Sequence, residues 1–336
     1  MAPTISVDSL HKSFARHEVL HGLSFEVQPG TVLGLIGPNG AGKTTTIRCL
    51  LDIIRPSSGA LSVLGEDPRR AGPGLRRRIG YLPGELILES RVTGRRLLDH
   101  FARLSGPVRP GRIAELADRL AVPLDKQVRE LSKGNKQKLG LIQAFMHDPE
   151  VLILDEPTSG LDPLLQQEFL SMVAEVKTDG RSILLSSHVL SELQQSADRV
   201  AILREGSIVA NASVEELRAT AVRRLRIRLE DDGGAPDTPA LASAAGQLER
   251  VPGVDGIRVL ADGRLEASVH DGVRPLLQTL AGLPVTDVVL EEPDLEEAVL
   301  TLYGPPPGGG SGHPPGRPGN SGQPGHRHGR HGRKEA

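Results

Sequence analysis

Tryptophan is absent, and two tyrosines and five phenylalanines are the only other large aromatics in 336 residues. The core must therefore be aliphatic. A single cysteine, Cys49, excludes an internal disulfide and fits a reducing compartment; it reads as a buried apolar filler. No apolar run approaches the ~18 residues of a membrane span. Met1 to Asp8 carry no basic-then-apolar leader. These absences predict a cytoplasmic chain and leave any membrane crossing to another polypeptide. A formal net charge of -2 gives no reason to expect a nucleic-acid partner.

What is present divides into three stretches. Residues 1–219 alternate strand-like and helix-like segments. Val32-Leu33-Gly34-Leu35-Ile36 is a short apolar run, and the spacing predicts a helix over 44–54 after it, stopped by Pro56 and Gly59. Residues 151–154 and 183–185 are two more buried strands, followed by helices at 163–177 and 189–196. This order predicts an α/β fold with a mostly parallel sheet covered on both faces. Residues 5–7 and 23–27 read instead as hairpin strands. Residues 222–303 change character: Leu225, Ile227 and Leu229 alternate with Arg224, Arg226 and Arg228, a strand with one wet face. Helices at 239–250 and 271–281 and strands at 254–260, 263–269 and 285–291 complete a βαββαβ order, that of the α+β ferredoxin-like unit. Asp262-Gly263 is the turn between the middle strands. A last helix fits 294–302. From Gly304 the chain is Pro, Gly, His and Arg, and reads as a disordered tail, 304–336. Its His313, His326, His328 and His331 read either as a metal-binding tract or as part of a solvated tail.

Gly37-Pro38-Asn39-Gly40-Ala41-Gly42-Lys43-Thr44 fits G-x-x-x-x-G-K-[ST] between a predicted strand and a predicted helix. Glycines let the backbone curl so that successive N–H groups point at phosphates, and the helix N-terminus adds partial positive charge. Lys43 reaches β- and γ-phosphates, and the Thr44 hydroxyl ligates Mg²⁺; Thr45 follows in the same turn. The chain is thus expected to bind and hydrolyse a nucleoside triphosphate, with ATP and Mg²⁺ as cofactors. The strand at 151–154 ends in Asp155-Glu156. Asp155 suits a Mg²⁺ ligand, and Glu156 a general base for the attacking water.

Leu131-Ser132-Lys133-Gly134-Asn135-Lys136-Gln137 resembles the signature of ATP-binding cassette (ABC) ATPases, usually L-S-G-G-Q, with Lys133 and Asn135 as departures. Ser132 also reads as the N-cap of the helix that follows. The resemblance covers residues 1–219 and implies a P-loop NTPase core of the ABC type. It implies that Ser132 and Gly134 complete the ATP site of a second ABC subunit, that Ser159-Gly160-Leu161-Asp162 crosses the dimer seam, and that His188 contacts the γ-phosphate. It places Phe14 where an aromatic stacks on adenine, although Phe14 also fits a core position. Where the family has a glutamine this chain has Gly84, leaving Glu85 or water to make its contact. The segment 86–105 would meet a permease.

The signature form and the small C-terminal domain resemble the ATPase subunits of drug and antibiotic exporters that pair with separate ABC-2 type permeases. Such a subunit would sit at the inner face of the plasma membrane through that partner. A soluble ABC ATPase acting on a macromolecular complex and an importer ATPase are the other readings. The C-terminal domain would sense a ligand, help dimerise, contact the permease or merely extend the packing.

Overall fold

Val32–Ile36 and Val151–Asp155 carry no charged residue before Asp155, and every residue in both is buried. Such runs suit strands covered on both faces. A computed structural model describes residues 2–88, 90–220, 222–230, 238–270 and 273–291. In chain order its strands are β1 (Ile5–Phe14), β2 (His17–Val27), β3 (Val32–Ile36), β4 (Ser58–Val63), β5 (Ile79–Leu82), β6 (Val151–Asp155), β7 (Ser182–Ser187), β8 (Arg199–Arg204), β9 (Ser207–Ser213), β10 (Arg223–Leu229), β11 (Val254–Val259), β12 (Leu265–Val269) and β13 (Val285–Glu291). The helices are α1 (Lys43–Leu50), α2 (Pro68–Arg76), α3 (Gly94–Leu104), α4 (Arg112–Arg119), α5 (Lys133–Phe145), α6 (Pro163–Thr178), α7 (Leu190–Ser196), α8 (Val214–Thr220), α9 (Pro239–Leu248) and α10 (Val273–Leu280).

Six strands form one sheet in the order β5-β6-β7-β3-β8-β9. It is parallel except for β9, which runs antiparallel to β8. Successive side chains of a strand face opposite ways, and here both sets are buried. Val32, Ile36, Leu152, Leu154, Ile183 and Leu185 pack with residues of the helices, including Leu98 of α3, Phe145 of α5 and Phe169 of α6. Leu33, Leu35, Val151, Ile153 and Leu184 pack on the other side, against Ile47 and Leu50 of α1 and the inner residues of β1 and β2. The expected two-sided cover is thus present. On the second face, part of that cover is an antiparallel sheet of order β2-β1-β4. Ile5 opposite Val27 and Val7 opposite Phe25 are the pairings of the expected hairpin, which extends to Phe14 and His17.

The helix expected over 44–54 is shorter. It ends at Leu50 because Asp52 takes a left-handed conformation, φ 54. The Ile53 N–H then reaches back to the Arg48 carbonyl at 2.9 Å and Asp52 N–H to Cys49 at 3.1 Å, the two bonds of a Schellman cap. Pro56 and Gly59 come after the helix has already closed.

The remaining strands form a separate sheet of order β11-β12-β10-β13, antiparallel throughout. With α9 and α10 this is the expected βαββαβ order. Leu225, Ile227 and Leu229 are buried against Leu241, Leu248, Leu276 and Leu280 of the two helices. The other face is wet but paired: Arg226 bonds Glu266 and Glu291 at 2.8 Å each, and Arg258 also bonds Glu266. Hydrogen bonds from Arg226 and then Arg258 hold the Glu266 carboxyl below its ordinary value. The expected helix at 294–302, the tail from Gly304 and its histidines lie outside the described residues.

Cys49 is fully buried on α1, and desolvation pushes its thiol up to about 11. A thiolate is the reactive species, so the folded chain should resist iodoacetamide at pH 8 and take up one equivalent only after denaturation. Mass spectrometry checks this; prompt alkylation of folded protein would contradict it.

Candidate active site

The glycine-rich loop leaves the end of β3 and enters α1. A Cβ at Gly37 would lie 2.3 Å from the Leu203 carbonyl oxygen, so only glycine fits between β3 and β8 there. Gly42, the residue before α1, has φ 107 and offers no side-chain cap. The first N–H groups of α1 therefore face the loop without a side-chain partner, as an anion site requires. Pro38, Asn39 and Gly40 are exposed, Ala41 is buried, and Thr44 and Thr45 are half-buried. Lys43 is only 5% exposed. Its ammonium donates to the Gly37 carbonyl at 2.6 Å and lies 3.3 Å from Glu156 Oε1.

A cavity of about 370 Å³ opens over this loop, lined also by Gly84, Glu85, Asp155 and Glu156. Asp155 is fully buried at the end of β6. Its Oδ1 accepts a hydrogen bond from the Ser186 hydroxyl at 2.5 Å, while Oδ2 has no partner among the described residues. A buried carboxylate oxygen left unpaired is costly, and a divalent cation beside it satisfies that charge. The donor set, one carboxylate and the Thr44 hydroxyl at the mouth of the loop, fits Mg²⁺ that takes its other ligands from phosphate and water. Among the described residues no group of three or more His, Cys, Asp and Glu is placed to hold a metal by protein alone.

Glu156 turns the chain out of β6 with φ 49, a left-handed conformation that costs a non-glycine residue roughly 1–2 kcal/mol. The turn separates its carboxylate from that of Asp155. Oε2 accepts from His188 Nδ1 at 2.7 Å, and Oε1 faces Lys43. Lys43, the adjacent pair Asp155 and Glu156, and His188 come from separate stretches of the chain and thus meet at one cleft, His188 through its bond to Glu156. Gly84 backs directly onto it: a Cβ there would stand 3.1 Å from Asp155 Oδ2. Glu85 is exposed at the same cavity.

Ser132 and Gly134 are elsewhere; neither is among the described residues that line the cavity. Ser132 caps α5 as expected, its hydroxyl accepting from Asn135 N–H at 3.2 Å. The cap uses the backbone of Asn135, so the unusual side chains at 133 and 135 do not disturb it. Gly134 is pressed against the Gly160 carbonyl, which a Cβ would meet at 2.9 Å. Asp162 caps α6 through Leu165 N–H at 3.1 Å. Phe14 ends β1 with 47% of its surface exposed and Lys12 Nζ 4.7 Å from the ring centroid. Of its two expected placements, the core is the one the structure rejects.

Sequence patterning did not single out two contacts of this site. Gln137 on α5 donates to the carbonyls of Glu156 and Pro157, both at 3.3 Å. The Ser186 hydroxyl serves Asp155 while accepting from Glu156 N–H at 3.0 Å. No periodicity signals either one; a polar residue on the buried side of an apolar helix is the only hint.

The family described as ABC transporter matches residues 20–159. The daunorubicin resistance ATP-binding protein DrrA3 of Streptomyces coeruleorubidus is 37% identical over 318 residues, 90% of this chain and 97% of that one. The bacitracin transport ATP-binding protein BcrA of Bacillus licheniformis is 31% identical over 310 residues, 90% and 98% of the two chains. A solved structure of the ATP-binding subunit of an ABC transporter superposes with a TM-score of 0.60 at 31% identity, covering 64% of this chain and 92% of that one. With its phosphate loop, buried acid and capped signature helix in place, the chain belongs to the ATP-hydrolysing, ATP-binding subunits of ABC transporters.

Proposed function

We propose that this subunit energises export of a drug, an antibiotic or another hydrophobic compound through a separately encoded permease. The observation that carries the hydrolytic part is the convergence of Lys43, Glu156 and the unpaired Oδ2 of Asp155 on the loop cavity, with His188 bonded to Glu156. The roles named for two relatives, resistance to daunorubicin and transport of bacitracin, support the cargo class. The Nod factor export ATP-binding protein I of Paraburkholderia xenovorans, 39% identical over 227 residues, supports the direction.

Backbone N–H groups of residues 39–45 bind the phosphates, and the ammonium of Lys43 neutralises the β- and γ-oxygens. Thr44 and Asp155 would hold Mg²⁺, which would supply charge neutralisation at the transferring phosphoryl group. Glu156 accepts a proton from the attacking water, and His188, hydrogen-bonded to it, steadies its carboxylate. Phe14, exposed at the end of β1, stacks on adenine. Ser132 and Gly134 lie off their own cavity on an exposed helix N-terminus, which suits a role at the site of a second ABC ATPase subunit. ATP would then favour the closed pair and hydrolysis release it.

The permease face is the surface after β5. Ile87 and Leu104 are largely exposed there, and Phe101 and Leu104 line a groove of about 450 Å³ together with Tyr81 and the exposed Ile53. No helix of the described residues is long and apolar enough to cross a membrane. In this reading the permease holds the subunit at the inner surface of the plasma membrane. Residues 1–219 act as the nucleotide-binding domain and 222–303 as an accessory domain.

Lys43→Ala should weaken ATP binding by about 100-fold or more in calorimetry with magnesium, because the replaced ammonium is buried in the site. Glu156→Gln should keep ATP affinity while kcat falls by about 10²–10⁴; a wild-type rate would refute the general-base role. Ser132 acting on a partner's ATP requires that specific activity rise with enzyme concentration. Activity strictly proportional to enzyme down to a demonstrated monomer would exclude it.

A further inference from the structure

Glu156 works from a backbone conformation that glutamate adopts reluctantly. Such residues persist only where their surroundings hold them. The Glu156 N–H donates to Ser186 Oγ at 3.0 Å, and the Glu156 carbonyl accepts from Ser159 N–H at 3.2 Å and Gln137 Nε2 at 3.3 Å. Gln137 also grips the next carbonyl, that of Pro157. It is 6% exposed, on a helix whose neighbouring buried positions include Leu139, Leu141 and Ile142. An amide buried among such residues is costly unless it is bonded, and its nitrogen donates twice to this one turn. Neither Gln137 nor Ser186 is among the described residues that line the cavity. They touch the machinery only through Glu156 and its neighbours.

We propose that Gln137 is a positioning residue for Glu156. Its amide, with the Ser186 hydroxyl, locks the left-handed turn that aims the glutamate carboxylate at Lys43 and His188. Ser132 caps the N-terminal end of α5 and Gln137, further along the same helix, holds the turn at Glu156, so a force on the exposed end is delivered to the base. The close approach of Gly134 to the Gly160 carbonyl makes the link two-pointed, since the segment 156–160 then meets α5 at both ends. The inference rests on Glu156 being the general base, as proposed above.

The experiment uses the full chain in four forms: wild type, Gln137→Leu, Glu156→Gln and the double variant. Leucine fills nearly the same volume without the donor. Gln137→Leu should lower kcat by about tenfold or more, the size expected when a reacting group loses its alignment. KM and the calorimetric Kd for ATP should stay within about twofold, because the phosphate loop is untouched. Its pH–rate profile should move on the limb that reports the base, which a purely structural weakening would not shift. The double variant should be no slower than Glu156→Gln alone. Wild-type kcat in Gln137→Leu, or losses that multiply in the double variant, would overturn the proposal. If Glu156→Gln itself turns over at the wild-type rate, the reading beneath it falls instead, and the two failures are distinct. Gln137→Glu, which keeps the length but cannot donate when ionised, carries the same expectation should leucine at 137 unfold the chain.

Discussion

The parallel register of β6, β7 and β3 is the constraint on which the site depends. Ile36 lies beside Ser187, and Asp155 beside Ser186. Three strand ends therefore finish level, and the residues that follow them, Gly37, Glu156 and His188, emerge at one edge of the sheet. Ligands of open parallel sheets collect at the carboxyl ends of the strands for this reason. The register is itself secured by burial on both faces, since slipping one residue would exchange the two apolar sets.

Two hydroxyls and one carboxylate tighten that edge. Glu192 Oε2 accepts from Thr158 at 2.9 Å and from Ser187 at 2.7 Å, joining the segment after β6 to the end of β7. Ser186, one residue earlier, donates to the Asp155 carboxylate and accepts from the Glu156 N–H. The catalytic edge is thus stitched by short polar side chains beneath the groups that face the cavity.

Local patterns were the legible part of the sequence. The loop at 37–44, the apolar strands at 32–36 and 151–155 and the alternation at 225–229 each announce themselves within a few residues, because their signals are glycine placement and period. The βαββαβ order followed from the same reading. The end of α1 was misjudged because Asp52, not a glycine, adopts the left-handed cap. Gln137 was visible only as part of a motif, because its partners lie nineteen and twenty positions away and no spacing encodes a contact made through folding. Gly84 stood out as a departure from the family, but its packing onto Asp155 is a tertiary fact. Phe14 shows the reverse: its exposure could not be chosen from composition, since an aromatic-poor chain has equal use for it inside.

The charged face of the small sheet differs in kind from the large sheet's oil-filled faces. Arg226, Arg258 and Glu291 meet at the carboxylate of Glu266 or at the arginine that binds it, a seam that crosses β13, β10, β12 and β11. Because the Glu266 carboxyl sits below its ordinary value, the seam is complete above about pH 4.3, the value of a free glutamate. Its contribution fades as pH falls through the lower folded value. Acid strong enough to protonate Glu266 in the folded chain would therefore loosen the C-terminal sheet along this line, whereas hydrocarbon packing in the nucleotide-binding sheet has no proton to take up.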